Sequence, residues 1–84
     1  MAQVEGSSLV AQAIAREGVE TLFGLAGGPI QDIMGFAPHF GVRPIGVRHE
    51  QAATFSAAAY GFVKNQVGVA VLAAGPAVSN GVTG

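Results

Sequence analysis

Glu50 is the residue of this sequence whose setting most needs a chemical explanation. It follows a short run with β-branched residues and opens a segment, residues 51–63, that contains no charged side chain. An ionised carboxylate that is buried without a partner costs several kcal/mol, so it normally faces water, pairs with a cation or serves a ligand. Of these three roles, only an interaction with a ligand would give Glu50 a chemical function. The structural alternative is a place in the first turn of a helix, where the macrodipole favours an acidic residue.

Two glycine-rich segments, one on either side of Glu50 in the sequence, are further candidates for ligand contact. Residues 24–29 contain Ala26, Gly27 and Gly28, and residues 74–80 contain Gly75, Pro76, Ala77 and Asn80. Glycine allows the backbone to approach a ligand closely, although the same residues serve equally well in simple turns. Their spacing does not match G-x-G-x-x-G, and no lysine follows as in a P-loop. A dinucleotide site is therefore not expected.

The elements that must position these segments alternate between helix and strand. Periodicity and turn residues predict helices at 7–17, from Pro29 to about 37, at 50–64 and from about 79, with strands at 19–24, about 43–47 and 67–73. Ser7 or Ser8 is the predicted cap of the first helix, and Gly18 its stop. The last strand is apolar without alternation, which is typical of a parallel strand covered on both faces.

This order predicts an α/β fold with an open parallel sheet and right-handed βαβ crossovers. In such sheets ligands bind beyond the carboxyl ends of the strands. The segments expected there are 24–29, 48–51 and 74–80. The sequence thus brings Glu50 together with both glycine-rich segments at one edge of the sheet.

The helix predicted at 50–64 carries apolar side chains around nearly its whole circumference. We therefore expect it to be buried on most sides. Its small residues, Ala57, Ala58, Ala59 and Gly61, would let another helix or sheet approach closely, as in a subunit interface. Tyr60 is expected to make a structural hydrogen bond.

Composition limits the classes of function. Half of the 84 residues are hydrophobic and 11% are charged, against about 25% charged in an ordinary soluble domain. We therefore expect a piece of a larger protein or a chain that packs on a partner. The net charge is −1 and the four Lys and Arg residues are scattered, so neither nucleic acid nor a membrane is an expected partner.

Cysteine and histidine content narrows the chemistry further. There is no cysteine, which excludes disulfides and thiol chemistry, and the two histidines cannot by themselves form a structural zinc site. The N-terminus lacks a basic segment followed by an apolar core, and no apolar run reaches about 18 residues. These features favour a cytoplasmic location.

Several separated signatures carry a family resemblance. In order, they are Leu22-Phe23-Gly24, Gly27-Gly28-Pro29, Arg48-His49-Glu50-Gln51-Ala52-Ala53, Ala59-Tyr60-Gly61-Phe62, Gly68-Val69, and Gly75-Pro76 with Asn80. Their succession resembles the start of the pyrimidine-binding domain of thiamine diphosphate enzymes over almost the whole chain. It is most similar to the acetolactate synthase branch, while Ile45–Arg48 and Ala57–Ala59 lean toward oxalyl-CoA decarboxylase and 2-hydroxyacyl-CoA lyase.

The resemblance implies a role for each candidate residue. Glu50 would be the catalytic residue that hydrogen-bonds the ring nitrogen N1′ of the cofactor's aminopyrimidine, with its pKa raised by an apolar setting. The loop Gly75-Pro76-Ala77 would lie along the pyrimidine ring, and Asn80 would stabilise that loop. Ala77 stands where the family commonly has glycine. The segment Ala26-Gly27-Gly28, together with Gln51, would face the substrate, while His49 is as readily the first residue before a helix as a substrate contact.

The resemblance also implies what lies elsewhere. Residues 1–84 would be the N-terminal part of a single pyrimidine-binding domain, incomplete as a fold. The family holds the diphosphate and Mg²⁺ in a separate domain through a Gly-Asp-Gly signature, which is absent here. Partners would be the remaining domains or a second subunit of a homo-oligomer, dimer or tetramer, and the 84 residues alone would be inactive.

The implied activity is that of a lyase, decarboxylase or carboligase acting on C–C bonds next to a carbonyl, with an acyl-CoA among the candidate substrates. The alternative is a non-catalytic α/β interaction or nucleotide-binding module that pairs with another chain. Replacement of Glu50 in the full-length protein discriminates between the two.

Overall fold

The computed structural model of the chain describes residues 5–84, apart from the side chain of Pro29. The first four residues, which belong to the N-terminal segment considered above, lie outside the described residues. The elements in chain order are helix α1 (Gly6–Arg16), strand β1 (Thr21–Gly24), a 3-10 turn (Gly28–Ile30), helix α2 (Gln31–Phe36), a second 3-10 turn (Ala37–Phe40), strand β2 (Arg43–Gly46), helix α3 (Glu50–Lys64), strand β3 (Ala70–Val71) and helix α4 (Pro76–Gly81).

The three strands form one parallel sheet in the order β2–β1–β3. In β1, Thr21 lies opposite Arg43 and Gly24 lies opposite Gly46 of β2, while Gly24 also pairs with Val71 of β3. The helix α2 connects β1 to β2, and α3 then returns the chain past β1 to β3. The predicted α/β fold with an open parallel sheet and helical crossovers is confirmed.

The core has two parts because adjacent residues of β1 point to opposite faces of the sheet. Leu22 is fully buried in a cluster that includes Val42, Val71 and partly buried side chains of α1 and α2, Ile14, Ala15, Ile33 and Met34 among them. Phe23 packs on the other face against Ala53 and Ala57 of α3. Helices therefore cover both faces of β1, as a parallel sheet requires.

Helix α3 begins and ends at the predicted residues, but the prediction that it is buried on most sides is wrong for this chain. Only Ala53 and Ala57 are buried. Phe55 is 51% exposed and Phe62 is 88% exposed. The sheet packs on one side of α3 and α4 packs on a second, and these contacts leave Phe55 and Phe62 exposed. The ring of Tyr60 packs edge-on against the ring of Phe23, with 5.7 Å between the ring centroids.

Several other boundaries differ from the predictions. Helix α1 is preceded by Glu5 as its N-cap residue, without a side-chain cap, so Ser7 and Ser8 lie inside its first turn. Gly18, at φ +82°, follows its end as predicted. Strand β1 begins at Thr21, and β3 shrinks to Ala70–Val71 because its ladder pairs only with the last residues of β1.

Helix α4 starts earlier than predicted, at Pro76, because Gly75 turns the chain with φ +78° and proline suits the first helical turn. Across the described part of the chain, no helix has the length and apolar character needed to cross a membrane.

Candidate functional site

Three loops meet at the carboxyl edge of the sheet because all three strands run in the same direction. The loop after β1 approaches the loop after β3: a Cβ atom added to Gly27 would lie 3.7 Å from the Cβ of Ala73. After β1 the chain continues into α2 on one face of the sheet, and after β2 it continues into α3 on the opposite face. Adjacent strands whose connections diverge in this way leave a crevice between their loops, the usual ligand site of an open α/β sheet. The predicted convergence of segments is confirmed.

Glu50 is the first residue of α3, at the point where the chain enters the helix from the loop after β2. His49 is extended and caps the helix, since its Nδ1 accepts a hydrogen bond from the backbone N–H of Gln51 at 3.0 Å. This contact satisfies one of the unpaired N–H groups of the first turn. His49 had two interpretations, a residue that precedes a helix or a substrate contact. The structure supports the first, because His49 is the N-cap of α3. The cap holds the position of Glu50 at the edge of the crevice.

Asn80 of α4 reaches the carboxylate across the crevice edge. Its Nδ2 donates a hydrogen bond to Oε1 of Glu50 at 3.2 Å, between residues 30 positions apart in the sequence. The sequence had suggested only that Asn80 stabilises the loop before α4, so this pairing was missed. The available signal was that both residues follow strands whose carboxyl ends share an edge.

The pKa of Glu50 is lowered from its ordinary value of 4.5. Its own backbone N–H hydrogen bond is the largest cause, followed by the hydrogen bond from Asn80 and the nearby His49, while partial burial acts in the opposite direction. Hydrogen bonds to the charged form of a carboxyl group favour that form. The expectation of a raised pKa in an apolar setting is therefore wrong for this chain, because Glu50 is half-exposed and doubly hydrogen-bonded.

The loop after β3 combines a turn residue with a tightly packed helix. Gly75 has φ +78° and ψ −129°, and its carbonyl oxygen accepts from the N–H of Val78 at 3.0 Å. Ala77 is 5% exposed, so its methyl group is packed inside the fold instead of standing open at the crevice. The departure from the glycine of the resembling family is thus accommodated within the chain.

Gly81 is a residue that the sequence reasoning missed. A Cβ atom there would lie 2.6 Å from Cδ1 of Leu72, 3.2 Å from Cγ2 of Thr54 and 3.8 Å from the Cβ of Glu50. This glycine therefore lets α4 lie against α3 and brings Asn80 within reach of Glu50. An isolated glycine within a helical pattern was the only signal in the sequence.

The residues expected on the substrate side lie at the same edge. Gly27 is extended and half-buried, and its carbonyl oxygen accepts from the N–H of Ile30 at 3.1 Å. Ala26 and Gly28 are exposed, and Gln51 is half-buried in the first turn of α3. Gly28 has φ +27°, a value that side chains disfavour. The assignment of these residues to a substrate stays a prediction.

The candidate site offers the carboxylate of Glu50 and the side-chain amide of Asn80 as hydrogen-bonding groups. Within residues 5–84, no group of three or more histidine, aspartate or glutamate side chains is close enough to hold a metal ion. The carboxylate of Glu50 can accept hydrogen bonds, and the glycine-containing loops allow the backbone to approach a ligand closely. A separate open groove of about 440 Å³ lies between α3 and the outer edge of β3, lined by residues such as Ala58, Gly61 and Ala70.

Comparison with known proteins places these observations in a family. Residues 4–84 match the model of the family described as thiamine pyrophosphate enzyme, N-terminal TPP binding domain. Over 82 residues, 98% of the chain, the sequence is 37% identical to 2-hydroxyacyl-CoA lyase 1 of Homo sapiens. Over 79 residues, 94% of the chain, it is 34% identical to oxalyl-CoA decarboxylase of Escherichia coli strain K12.

A third relative is the large subunit of acetolactate synthase from Lactococcus lactis, which is 41% identical over 80 residues, 94% of the chain. The chain spans 14% of the length of each of these three relatives. The matched region therefore corresponds to a small part of each, and further domains make up the rest of these proteins.

Proposed function

This chain belongs to the thiamine pyrophosphate enzyme family, as an N-terminal TPP binding domain, and we propose that its Glu50 binds the aminopyrimidine ring of thiamine diphosphate. The full-length protein would act on C–C bonds next to a carbonyl by lysis, decarboxylation or carboligation. The three relatives, a lyase, a decarboxylase and a synthase by name, support this range of reactions. When bound, thiamine diphosphate supplies the carbon nucleophile for such reactions.

The observation that carries the proposal is the hydrogen bond between Asn80 and Glu50 at the carboxyl edge of the sheet. It orients a carboxylate at the start of α3 beside the helix that follows β3, and the loop after β1 lies against the loop after β3. A carboxylate in this place can accept a hydrogen bond from a protonated ring nitrogen or, once protonated, donate one to a neutral nitrogen. Asn80 is then a positioning residue, because it acts on the cofactor through Glu50.

The lowered pKa of Glu50 defines the starting state of this proton transfer. In the chain by itself the carboxyl group is ionised at neutral pH, since its ordinary pKa of 4.5 is lowered further. A ring that covers the crevice would remove water from the carboxylate, and desolvation raises the pKa of a carboxyl group. Binding would therefore bring the proton affinities of Glu50 and the ring nitrogen N1′ closer together, as general acid–base catalysis requires.

We assign the remaining contacts to the loops. Gly75, Pro76 and Ala77 would lie along the pyrimidine ring, and Ala26, Gly27, Gly28 and Gln51 would face the substrate. The diphosphate and Mg²⁺ would be bound by another domain, and a homo-oligomer is the assembly we expect. The names of two relatives include coenzyme A thioesters, which makes an acyl-CoA the first substrate to test. A cytoplasmic location remains part of the proposal.

The test uses the full-length protein with Glu50→Gln, Asn80→Ala and the control Glu20→Gln. Glu20 is exposed and precedes β1, so its replacement makes the same chemical change at the opposite edge of the sheet. Calorimetric titration with thiamine diphosphate and Mg²⁺ measures cofactor binding. Turnover is measured in three assays, which follow cleavage of a 2-hydroxyacyl-CoA, decarboxylation of oxalyl-CoA and formation of acetolactate.

Glu50→Gln is expected to lower turnover by orders of magnitude with the fold intact, while Glu20→Gln leaves it unchanged. Asn80→Ala should give an intermediate loss. Wild-type turnover in Glu50→Gln would refute the role of Glu50, and a protein that binds no thiamine diphosphate would favour the alternative of a non-catalytic interaction module.

A further inference from the structure

Asn80 and Gly81 form an Asn-Gly pair at the end of α4, next to the carboxylate of Glu50. Asparagine is among the chemically labile residues of proteins. It loses its side-chain amide most readily before glycine, because glycine has no side chain to hinder the approach of its backbone nitrogen to the amide carbon. Asn80 is exposed, so water has access to its side chain. The pair therefore meets two conditions for loss of the amide.

The local backbone supplies a third condition, which is freedom to leave the helical conformation. The backbone nitrogen of Gly81 reaches Cγ of Asn80 only when the last turn of α4 opens. Helix α4 has six residues, and Asn80 is the last but one of them. A helix this short is marginal by its own propensity, and helix ends open before the rest of a fold. The hydrogen bond from Asn80 to Glu50, 3.2 Å long between exposed groups, restrains this opening weakly.

We propose that Asn80 is a site of spontaneous deamidation, at which loss of the side-chain amide places a second carboxylate beside Glu50. The backbone nitrogen of Gly81 attacks Cγ of Asn80 and gives its proton to solvent, and a C–N bond forms. The bond from Cγ to Nδ2 breaks, and the nitrogen leaves as ammonia. Water then opens the resulting succinimide ring at one of its two carbonyl carbons. In sum, asparagine and water become aspartate or isoaspartate and ammonium, and no oxidant or reductant takes part.

Either product reverses the electrostatics of the contact with Glu50. Nδ2 of Asn80 donates a hydrogen bond to Oε1 of Glu50, whereas a carboxylate in its place has no proton to donate and repels a second carboxylate. The added negative charge raises the pKa of Glu50, which the hydrogen bond from Asn80 helps to lower. Isoaspartate also lengthens the main chain beside Gly81, where a Cβ atom alone would lie 2.6 Å from Cδ1 of Leu72. Deamidation therefore changes both the charge and the packing of the candidate site.

The modification itself does not depend on the function proposed above. Its effect on catalysis rests on the role proposed for Glu50, because deamidation removes the hydrogen bond that orients this carboxylate.

The site is tested by peptide mapping of the full-length protein after storage in heavy-oxygen water at mildly alkaline pH. Asn65 is the matched control, because it is also exposed and also lies at the end of a helix, but is followed by Gln66. We expect loss of the amide at position 80, with heavy oxygen incorporated and isoaspartate among the products, and an intact amide at position 65. Loss of the amide at position 80 that is no faster than at position 65 would overturn the proposal.

The electrostatic consequence is tested with Asn80→Asp, which makes one of the two products directly. A carboxyl carbon NMR titration of the full-length protein measures the pKa of Glu50. We expect this pKa to rise above its value in Asn80→Ala, because alanine only removes the hydrogen bond whereas aspartate adds a negative charge. Equal pKa values in the two variants would overturn the placement of the new carboxylate beside Glu50. Neither measurement uses thiamine diphosphate, so a negative result here is distinct from failure of the cofactor role of Glu50.

Discussion

Gly24 offers a sharp test of how the sheet edge is packed, because this last residue of β1 pairs with both neighbouring strands. A Cβ atom added there would lie 2.8 Å from the carbonyl oxygen of Val71 and 3.0 Å from Sδ of Met34. The sulfur lies near the end of a flexible side chain and can move, but the oxygen belongs to the backbone of β3. The change Gly24→Ala therefore forces β3 away from β1. Overpacking of this kind costs about 1–3 kcal/mol.

Gly46 provides the matched control, since it ends β2 and lies opposite Gly24 in the sheet. A Cβ atom at Gly46 would meet nothing within 4 Å. Gly46→Ala is therefore expected to be neutral, or to stabilise the fold by up to about 1 kcal/mol through a less flexible unfolded chain. The two variants make the same covalent change on the same edge of the sheet and differ only in the space available.

Hydrogen–deuterium exchange of the full-length protein measures this difference, because it reports local opening without requiring two-state unfolding. A loss of about 1–3 kcal/mol corresponds to exchange that is about 5- to 150-fold faster in peptides that cover β1 and β3. Equal exchange rates in Gly24→Ala and Gly46→Ala would refute the reasoning. In a Met34→Ala background most of the penalty should persist, whereas its disappearance would show that Met34, and not the backbone of β3, is the obstacle.

Three further predictions concern the core, a helix end and pH. Leu22 of β1 is fully buried, so Leu22→Ala should lower the free energy of unfolding by about 2–5 kcal/mol. An unchanged hydrogen–deuterium exchange rate in β1 would contradict this. Asn65 follows α3 in the left-handed conformation, at φ 54°, which glycine adopts freely and a β-branched residue does not. Asn65→Gly should therefore be neutral, and Asn65→Val should lower the free energy of unfolding by about 1–2 kcal/mol. Equal melting temperatures of the two variants would contradict this. Because the pKa of Glu50 is lowered in the folded chain from 4.5, the contact with Asn80 stabilises the fold above that pH and is lost as the pH falls through the folded-state pKa. Asn80→Ala should raise the pKa of Glu50 in a carboxyl carbon NMR titration, and an unchanged pKa would exclude the contact.

The order of elements and the parallel sheet could be predicted from the sequence because local signals agree with the fold. His49 and Glu50 mark the start of α3 by capping chemistry, and Lys64 precedes an asparagine that adopts the left-handed conformation where the helix ends. Leu22 and Phe23 are adjacent apolar residues in a short strand, as expected when both faces of a sheet are covered.

The predictions that were wrong share one physical reason. Each concerns a property that depends on contacts between residues distant in the sequence. The length of β3 is set by the few residues of β1 available for pairing. The exposure of Phe62 depends on which surfaces the chain offers to α3. The pKa of Glu50 depends on Asn80, which α4 brings close through the glycine at position 81. None of these relations leaves a periodic pattern in the sequence.

The central claim, that Glu50 exchanges a proton with the aminopyrimidine ring, is tested most directly by the exchange of the C2 proton of bound thiamine diphosphate for deuterium. The measurement uses proton NMR on the full-length protein and requires no knowledge of the substrate. We predict that Glu50→Gln slows this exchange by orders of magnitude at saturating cofactor, while Glu20→Gln exchanges at the wild-type rate. Exchange at the wild-type rate in Glu50→Gln, with the cofactor bound, would contradict the claim.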